Sequence, residues 1–120
     1  CVLDEIDSIH SRRKIIWQDY QQYLPDVTFQ HWNPHSKNNY AYVPILFESE
    51  NEVLEIETKL KDNGIIPRRY FYPSLDTLDY LQKGQVCEIS RNIASRILCL
   101  PIYHSLEKDE LNKVIEILKE

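Results

Sequence analysis

The sequence predicts a small α+β domain in which helices pack on one face of a small, mostly antiparallel sheet. Apolar residues recur at three- and four-residue spacing in several segments, which is typical of amphipathic helices. Short apolar segments rich in β-branched and aromatic residues lie between them and favour strands. The length of 120 residues, 42% hydrophobic and 28% charged, suits one globular domain. The predicted order is α-β-β-α-β-α-β-α.

The first predicted helix covers residues 2–24, where the apolar stripe runs from Val2 to Tyr20 and Pro25 ends the helix. It begins without a capping residue, and the chain contains no methionine. We therefore expect the chain to be the tail of a longer protein. Residues 1–24 would continue from or link to a missing large domain, and residues 25–120 would form a C-terminal small domain.

Two strands are predicted between residues 27 and 47. VTFQHW and YAYVPILF carry the strand-forming residues, and Asn33-Pro34 with a polar loop separates them. Pro44 lies inside the second strand and cannot donate a ladder hydrogen bond. It therefore predicts an edge position or a bulge.

The second helix is predicted over residues 50–63. Ser49 followed by Glu52 fits a capping box, in which each side chain accepts from the other residue's backbone N–H. Asn63-Gly64 predicts the end of the helix, because glycine readily adopts the left-handed conformation.

Residues 65–72 are then predicted as a strand, and Asp76 or Thr77 as the cap of a short helical turn that ends at Leu81. A further helix is predicted from apolar residues at helical spacing, namely Val86, Ile89, Ile93 and Ile97.

The last segments are a short buried strand and a closing helix. LCLP, residues 98–101, reads as a strand stopped by Pro101. Ser105 is the predicted cap of the final helix, and acidic residues follow it in the first turn. The predicted apolar face of this helix consists of Leu111, Val114, Ile115 and Leu118.

Composition argues against several function classes. The net charge of −5 argues against a nucleic-acid binder, and no apolar run is long enough to span a membrane. The first residues lack the apolar core of a signal peptide. The three cysteines contain no CxxC pair, so we expect reduced thiols in a cytoplasmic protein.

No catalytic or metal-binding motif stands out. His31 and His35 are four residues apart, but Pro34 between them rules out a shared helical face, so we predict no metal site. GxSxG, HExxH and a glycine-rich phosphate loop are all missing from the sequence. No lysine can be nominated as a Schiff-base residue.

The segment GIIPRRYFYPSL, residues 64–75, is the strongest functional candidate. In an extended segment Arg68, Tyr70 and Tyr72 would share one face, and Arg69 and Phe71 the other. An arginine fork beside tyrosines suits the diphosphate of a nucleotide. The alternative is a structural strand, with its arginines paired to nearby acids and its aromatics in the core.

Three stretches in order resemble the C-terminal part of the DegT/StrS-type family of sugar aminotransferases, which depend on pyridoxal phosphate. They are LDEIDSIHSRRKIIWQDYQQYL, NNYAYVPILFESENEVLEIETKLKDNGIIPRRYFYPSL and ISRNIASRILCLPIYHSLEKDELNKVIEILKE. The likeness covers essentially the whole chain. RRYFYPSL is similar to members that act on dTDP-linked amino-deoxy sugars.

The resemblance implies the small domain of a fold-type I enzyme that works as a homodimer. The family's cofactor lysine and its aspartate lie on a large domain, and their motifs have no match in this chain. The resemblance therefore implies that pyridoxal phosphate belongs to the full-length enzyme, and that this fragment binds none and is inactive alone. It also implies a nucleotide-sugar substrate, an amino donor such as glutamate, and a usual setting in polysaccharide synthesis.

The resemblance also implies substrate contacts. Arg68 matches the arginine that opens the family's arginine-aromatic-proline segment, Tyr72 precedes the matching proline, and Tyr70 lies between them. Tyr40 and Tyr42 match the aromatic start of the central strand. Many members carry a histidine soon after that proline, whereas this chain has Ser74-Leu75. The alternative function is a stand-alone α+β module that binds a small molecule or peptide without catalysis.

Overall fold

The computed structural model describes residues 2–70, 72–81 and 84–120. Within these residues a three-stranded antiparallel sheet is combined with four α-helices. The helices are α1 (Ile6–Tyr23), α2 (Glu50–Asp62), α3 (Glu88–Arg96) and α4 (Lys108–Lys119). The strands are β1 (Thr28–Phe29), β2 (Val43–Leu46) and β3 (Ile97–Leu100). Short 3₁₀ turns cover Val2–Glu5 and Leu75–Thr77.

The sheet order is β1-β2-β3, and both pairings are antiparallel. One face of the sheet carries the core, where Val43 and Ile45 of β2 meet Leu98 and Leu100 of β3. Helices α1, α2 and α4 supply most of the remaining core with buried side chains: Ile16, Tyr20, Val53, Leu60, Leu111, Val114, Ile115 and Ile117. The predicted α+β class with a small antiparallel sheet is confirmed, and α1, α2 and α4 pack on the core face of that sheet.

Helix α1 belongs to this core rather than lying beside it. Ile16 and Tyr20 are fully buried, and the Tyr20 hydroxyl donates to the Pro101 carbonyl at 3.0 Å. Arg12 donates to the Leu106 carbonyl at 2.8 Å. Burial raises the pKa of Tyr20 well above its ordinary value. The division of the chain at residue 24 stays a prediction.

Helix α2 begins and ends where the sequence predicts. The Glu52 N–H donates to Ser49 Oγ at 3.3 Å, while the Glu52 carboxylate accepts from the N–H of Glu48 instead of Ser49. At the other end Gly64 has φ of 75°. Gly64 N–H donates to Lys61 O, and Ile65 N–H donates to Leu60 O, which together form a Schellman motif.

Pro44 lies in the central strand, so its predicted edge position is wrong. Cys99 exchanges both backbone hydrogen bonds with Arg68, which turns the polar groups of Pro44, opposite Cys99, away from β3 and toward β1. Strand β1 ends at Phe29, which pairs with Ile45, so no ladder bond is required from Pro44. The missing N–H therefore costs the sheet nothing at this position.

The predicted strand at residues 65–72 is also wrong for the residues of this range that the structure describes, 65–70 and 72. The segment touches the sheet by a single bridge, in which Arg68 N–H donates to Cys99 O at 3.1 Å and Cys99 N–H donates to Arg68 O at 2.8 Å. Pro67 before the bridge lacks an N–H, and the chain turns at Tyr70. Pairing therefore cannot extend in either direction.

Two helical segments begin at residues other than the predicted ones. Residues 75–77 form a 3₁₀ turn whose preceding residue is Ser74, and the Asp76 carboxylate accepts from Cys87 N–H just before α3. Helix α4 begins after Glu107, not Ser105, and Glu107 N–H donates to the Glu110 carboxylate at 3.2 Å.

Within the residues described above, no helix combines the length and the apolar character needed to span a membrane.

Candidate functional site

The sheet face opposite the core lines an open cavity of about 500 Å³. Its walls are mainly apolar and come from β2, β3, α3 and the segment after α2; they include Tyr42, Pro44, Leu46, Tyr70, Ile93 and Cys99. His31 reaches the same cavity from the loop after β1. A cavity of this size, with few polar groups, suits part of a small organic ligand.

Tyr42 and Tyr70 form a pair at this cavity. Their ring centroids lie 4.7 Å apart, with 47° between the ring planes, and their side chains hydrogen-bond. Partial burial, and then the contact with Tyr42, raise the pKa of Tyr70. Tyr70 therefore stays a neutral phenol that can pack against a ring or donate a hydrogen bond.

Arg68 is exposed next to this pair. Its backbone is fixed by the bridge to Cys99, and its guanidinium is close enough to favour the ionised forms of Tyr70 and Cys99. In the part of the chain that the structure describes, its side chain has no ion-pair partner. The guanidinium therefore remains available for a ligand anion.

Arg69 is held by the protein itself. One guanidinium nitrogen donates to Glu50 Oε1 at 2.9 Å and to the Ser95 carbonyl at 3.0 Å, and the side chain is 14% exposed. The guanidinium carbon lies 3.5 Å from the centre of the Tyr72 ring. Hydrogen bonds from Arg69 and then Tyr72 lower the pKa of Glu50. We call Glu50, Arg69 and Tyr72 the Arg69 clamp.

The Arg69 clamp shows that the predicted face of Tyr72 is wrong. Simple alternation put Tyr72 on the face of Arg68, whereas its ring lies against Arg69, because the turn at Tyr70 breaks the alternation. Arg69 itself follows the structural alternative, an arginine paired with a nearby acid. Phe71, predicted to share its face, lies outside the described residues.

A second network holds the chain beyond Pro73. The buried Ser74 hydroxyl donates to Asp76 at 2.6 Å and contacts the Ser90 hydroxyl at 2.8 Å. Asp76 also accepts from Cys87 N–H and from Arg91 Nε, each at 2.8 Å. Hydrogen bonds from Ser74, Cys87 and Arg91 lower the pKa of Asp76 to about 2.

The five predicted contact residues fall into three places. Tyr42 and Tyr70 line the cavity at the open sheet face, Arg68 lies beside Tyr70 at the edge of β3, and Tyr72 belongs to the Arg69 clamp. Tyr40 lines a different cavity, where its ring meets that of Trp17 at 5.9 Å. Sequence reasoning missed Cys99 and His31 as cavity residues. Only the alternation of β3 pointed to Cys99, whose pKa burial raises to about 11.

Comparison with known proteins matches residues 2–119 to the DegT/DnrJ/EryC1/StrS aminotransferase family. The chain belongs to this family. Two curated relatives share the name dTDP-4-amino-4,6-dideoxy-D-glucose transaminase. The relative from Shigella dysenteriae is 35% identical over 98% of this chain, and that from Escherichia coli is 32% identical over 97%. The chain spans about a third of their length, 34% of each.

Solved structures of aminotransferases share the fold. TlmJ from Streptoalloteichus hindustanus superimposes with a TM-score of 0.85 at 20% identity, over 98% of this chain and 32% of that one. DesI, determined in the presence of its TDP-sugar product, gives a TM-score of 0.82 at 24% identity, over the same shares of the two chains. At these identities the likeness establishes the fold alone.

Pyridoxal phosphate is the cofactor that the aminotransferase family implies, and the lysines that the structure describes do not fit a covalent site for it. Holding the cofactor covalently takes a lysine shielded in a pocket. Seven of the eight lysines fall in the described residues, and all seven are exposed. Within those same residues, no three His, Cys, Asp or Glu side chains converge as a metal site would need.

Proposed function

We propose that this chain is the C-terminal small domain of a pyridoxal-phosphate-dependent aminotransferase that acts on a dTDP-linked keto sugar. The observation that carries the proposal is the family match over residues 2–119, together with two relatives named as transaminases of a dTDP-linked 4-amino sugar. In the intact enzyme an amino group would pass from a donor, glutamate, to carbon 4 of the keto sugar.

In this proposal the open sheet face is one wall of the substrate site. Arg68 binds the diphosphate, because its exposed guanidinium carries two parallel donors that match phosphate oxygens. Tyr42 and Tyr70 pack against the sugar or base and exclude water. Tyr72 acts beside them by holding Arg69, and the segment is thereby presented in one conformation.

The cofactor-binding lysine and the carboxylate that pairs with the cofactor ring then belong to the remaining two-thirds of the enzyme. The seven lysines that the structure describes are all exposed, which supports that division of labour. We propose that the isolated chain binds no cofactor and is inactive. We further propose that the full-length enzyme is a cytoplasmic homodimer.

Replacement of Arg68 tests the substrate contact. We expect Arg68→Ala in the full-length enzyme to weaken binding of the dTDP-sugar by roughly 1–3 kcal/mol, because a charge-assisted phosphate contact is lost. Arg68→Lys should recover only part of this loss, since an ammonium lacks the guanidinium fork. Isothermal titration checks both variants, and unchanged affinity in Arg68→Ala would remove Arg68 from the site.

Addition of pyridoxal phosphate tests the division of labour. The 120-residue chain should show no saturable absorbance band of a lysine imine, and borohydride reduction should fix no stoichiometric adduct. The full-length enzyme provides the positive control. A reducible, stoichiometric lysine adduct on the 120-residue chain would overturn the proposed division.

A further inference from the structure

A second cavity, of about 480 Å³, opens between α1 and the loop that joins β1 to β2. We call it the tryptophan cleft. Its lining combines three aromatic side chains with two lysines and one amide, namely Lys14, Trp17, Trp32, Lys37, Asn38 and Tyr40. Trp17 and Trp32 are the two tryptophans of the whole sequence. Cavities of this volume hold small ligands.

The loop builds the tryptophan cleft with local strain. Tyr40 adopts φ of 51°, a left-handed conformation that is uncommon for a non-glycine residue. Asn38 Oδ1 fixes it by accepting from Tyr40 N–H at 2.7 Å, and Asn39 Oδ1 accepts from Ala41 N–H at 3.1 Å. This backbone places the Tyr40 ring edge-on to Trp17. Strained residues that the surroundings hold in place concentrate at functional sites.

One polar group in the tryptophan cleft is left over. Because Asn38 Oδ1 is used by Tyr40 N–H, its Nδ2 is the remaining donor. That atom is buried and has no hydrogen-bond partner among the described residues. A buried donor without a partner costs free energy, which a ligand acceptor would recover.

We propose that the tryptophan cleft is a second ligand site, distinct from the open sheet face, which binds a nucleoside phosphate. Indole and phenol faces stack on a planar base, as aromatic platforms do in proteins that bind unpaired nucleotides. Lys14 and Lys37 supply positive charge for phosphate in a chain whose net charge is −5. The Asn38 amide supplies a donor for a base or phosphate oxygen.

Intrinsic fluorescence tests the proposal directly, because both fluorophores line the tryptophan cleft. Thymidine 5′-diphosphate titrated into the 120-residue protein should quench tryptophan emission saturably. Thymidine tests stacking of the base without phosphate, and inorganic pyrophosphate tests the phosphate charge without a base. Each of the two should bind more weakly than thymidine 5′-diphosphate. Raising the ionic strength should weaken binding of the diphosphate and leave binding of thymidine nearly unchanged, because salt screens the attraction between phosphate and lysine.

Paired variants locate the ligand. Lys14→Ala combined with Lys37→Ala should weaken diphosphate binding on the order of tenfold, whereas Lys108→Ala, which removes an exposed charge at the start of α4, should change nothing. Trp32→Phe should weaken binding and lower the amplitude of the quench. Absence of saturable quenching would overturn the proposal.

Arg68→Ala separates this site from the proposed substrate site. Binding to the tryptophan cleft should be unchanged in this variant. Loss of the quench in Arg68→Ala, with full binding in the paired lysine variant, would overturn the second site and place the ligand at the open sheet face. Two results together would support both proposals independently. In Arg68→Ala the quench by thymidine 5′-diphosphate would be unchanged, and the affinity of the full-length enzyme for the dTDP-sugar would fall as expected.

Discussion

At the scale of single residues, two neighbouring arginines have different surroundings. Arg68 is exposed and available, whereas Arg69 is enclosed by Glu50, the Ser95 carbonyl and the Tyr72 ring. Removing the first should change binding, and removing the second should change stability. Adjacent residues of the same type thus separate a ligand contact from a structural one.

Arg69→Ala should lower the free energy of unfolding by roughly 1–2 kcal/mol, because an ion pair, a hydrogen bond and a cation–π contact are lost together. The Glu50 side chain is 40% exposed, which keeps the ion-pair share small. Urea denaturation measures the loss. Arg68→Ala is the matched control and should stay within about 0.5 kcal/mol of the wild type. Equal losses in both variants would refute the assignment.

The sequence predicted several residues of the site, but it did not predict which side chains contact one another there. Arg68 and Tyr70 stood out because cations and aromatics are adjacent in the sequence. The pairing of Tyr70 with Tyr42 joins residues 28 positions apart and depends on how the segment after α2 crosses the sheet. The contact between Arg69 and Tyr72 depends on the turn at Tyr70, which strand alternation cannot anticipate.

At the scale of secondary structure, local signals predicted α2 correctly at both ends. Ser49 and Gly64 act on backbone groups within a few residues, so the sequence contains the whole cause. The wrong predictions, for Pro44 and for the strand at residues 65–72, depended on contacts with strands far away in the sequence. Pro44 is tolerated centrally only because β1 ends at Phe29, and Arg68 bridges only because β3 offers Cys99 on its free side.

The Asp76 network links the Leu75–Thr77 turn to α3, and its stability should depend on pH. The pKa of Asp76 is lowered to about 2, so the fold stabilises the ionised carboxylate. That contribution is complete above the unfolded pKa of about 3.9 and is lost as the pH falls toward 2. Asp76→Asn should therefore destabilise the protein at neutral pH, and its difference from wild type should shrink between about pH 4 and pH 2.

Thermal unfolding monitored by circular dichroism across this pH range checks the Asp76 prediction. Asp79→Asn is the matched control, because Asp79 is an exposed acid three residues away. It should show a small effect at every pH. A difference between Asp76→Asn and wild type that stays constant from neutral pH to pH 2 would contradict the prediction.

At the scale of the whole molecule, several large apolar side chains are exposed to solvent. Ile66 and Ile89 are each 82% exposed and Tyr80 is 80% exposed, in addition to the open apolar cavity on the sheet. Large exposed apolar patches mark surfaces that another protein surface covers. The chain also spans about a third of the length of its curated relatives.

We therefore expect the 120-residue chain to self-associate when it is alone in solution, since apolar surface without a partner is buried most readily against a second copy. Ile89→Lys should shift the equilibrium toward monomer, because a charge on this exposed position of α3 cannot be buried cheaply. Leu54→Lys is the matched control on α2, where the side chain is 44% exposed and lies on a helix already packed in the core. Sedimentation velocity over a dilution series measures both. A monomeric wild type at every concentration would show that these apolar side chains do not drive association, and equal effects of the two variants would mean that α3 has no special part in it.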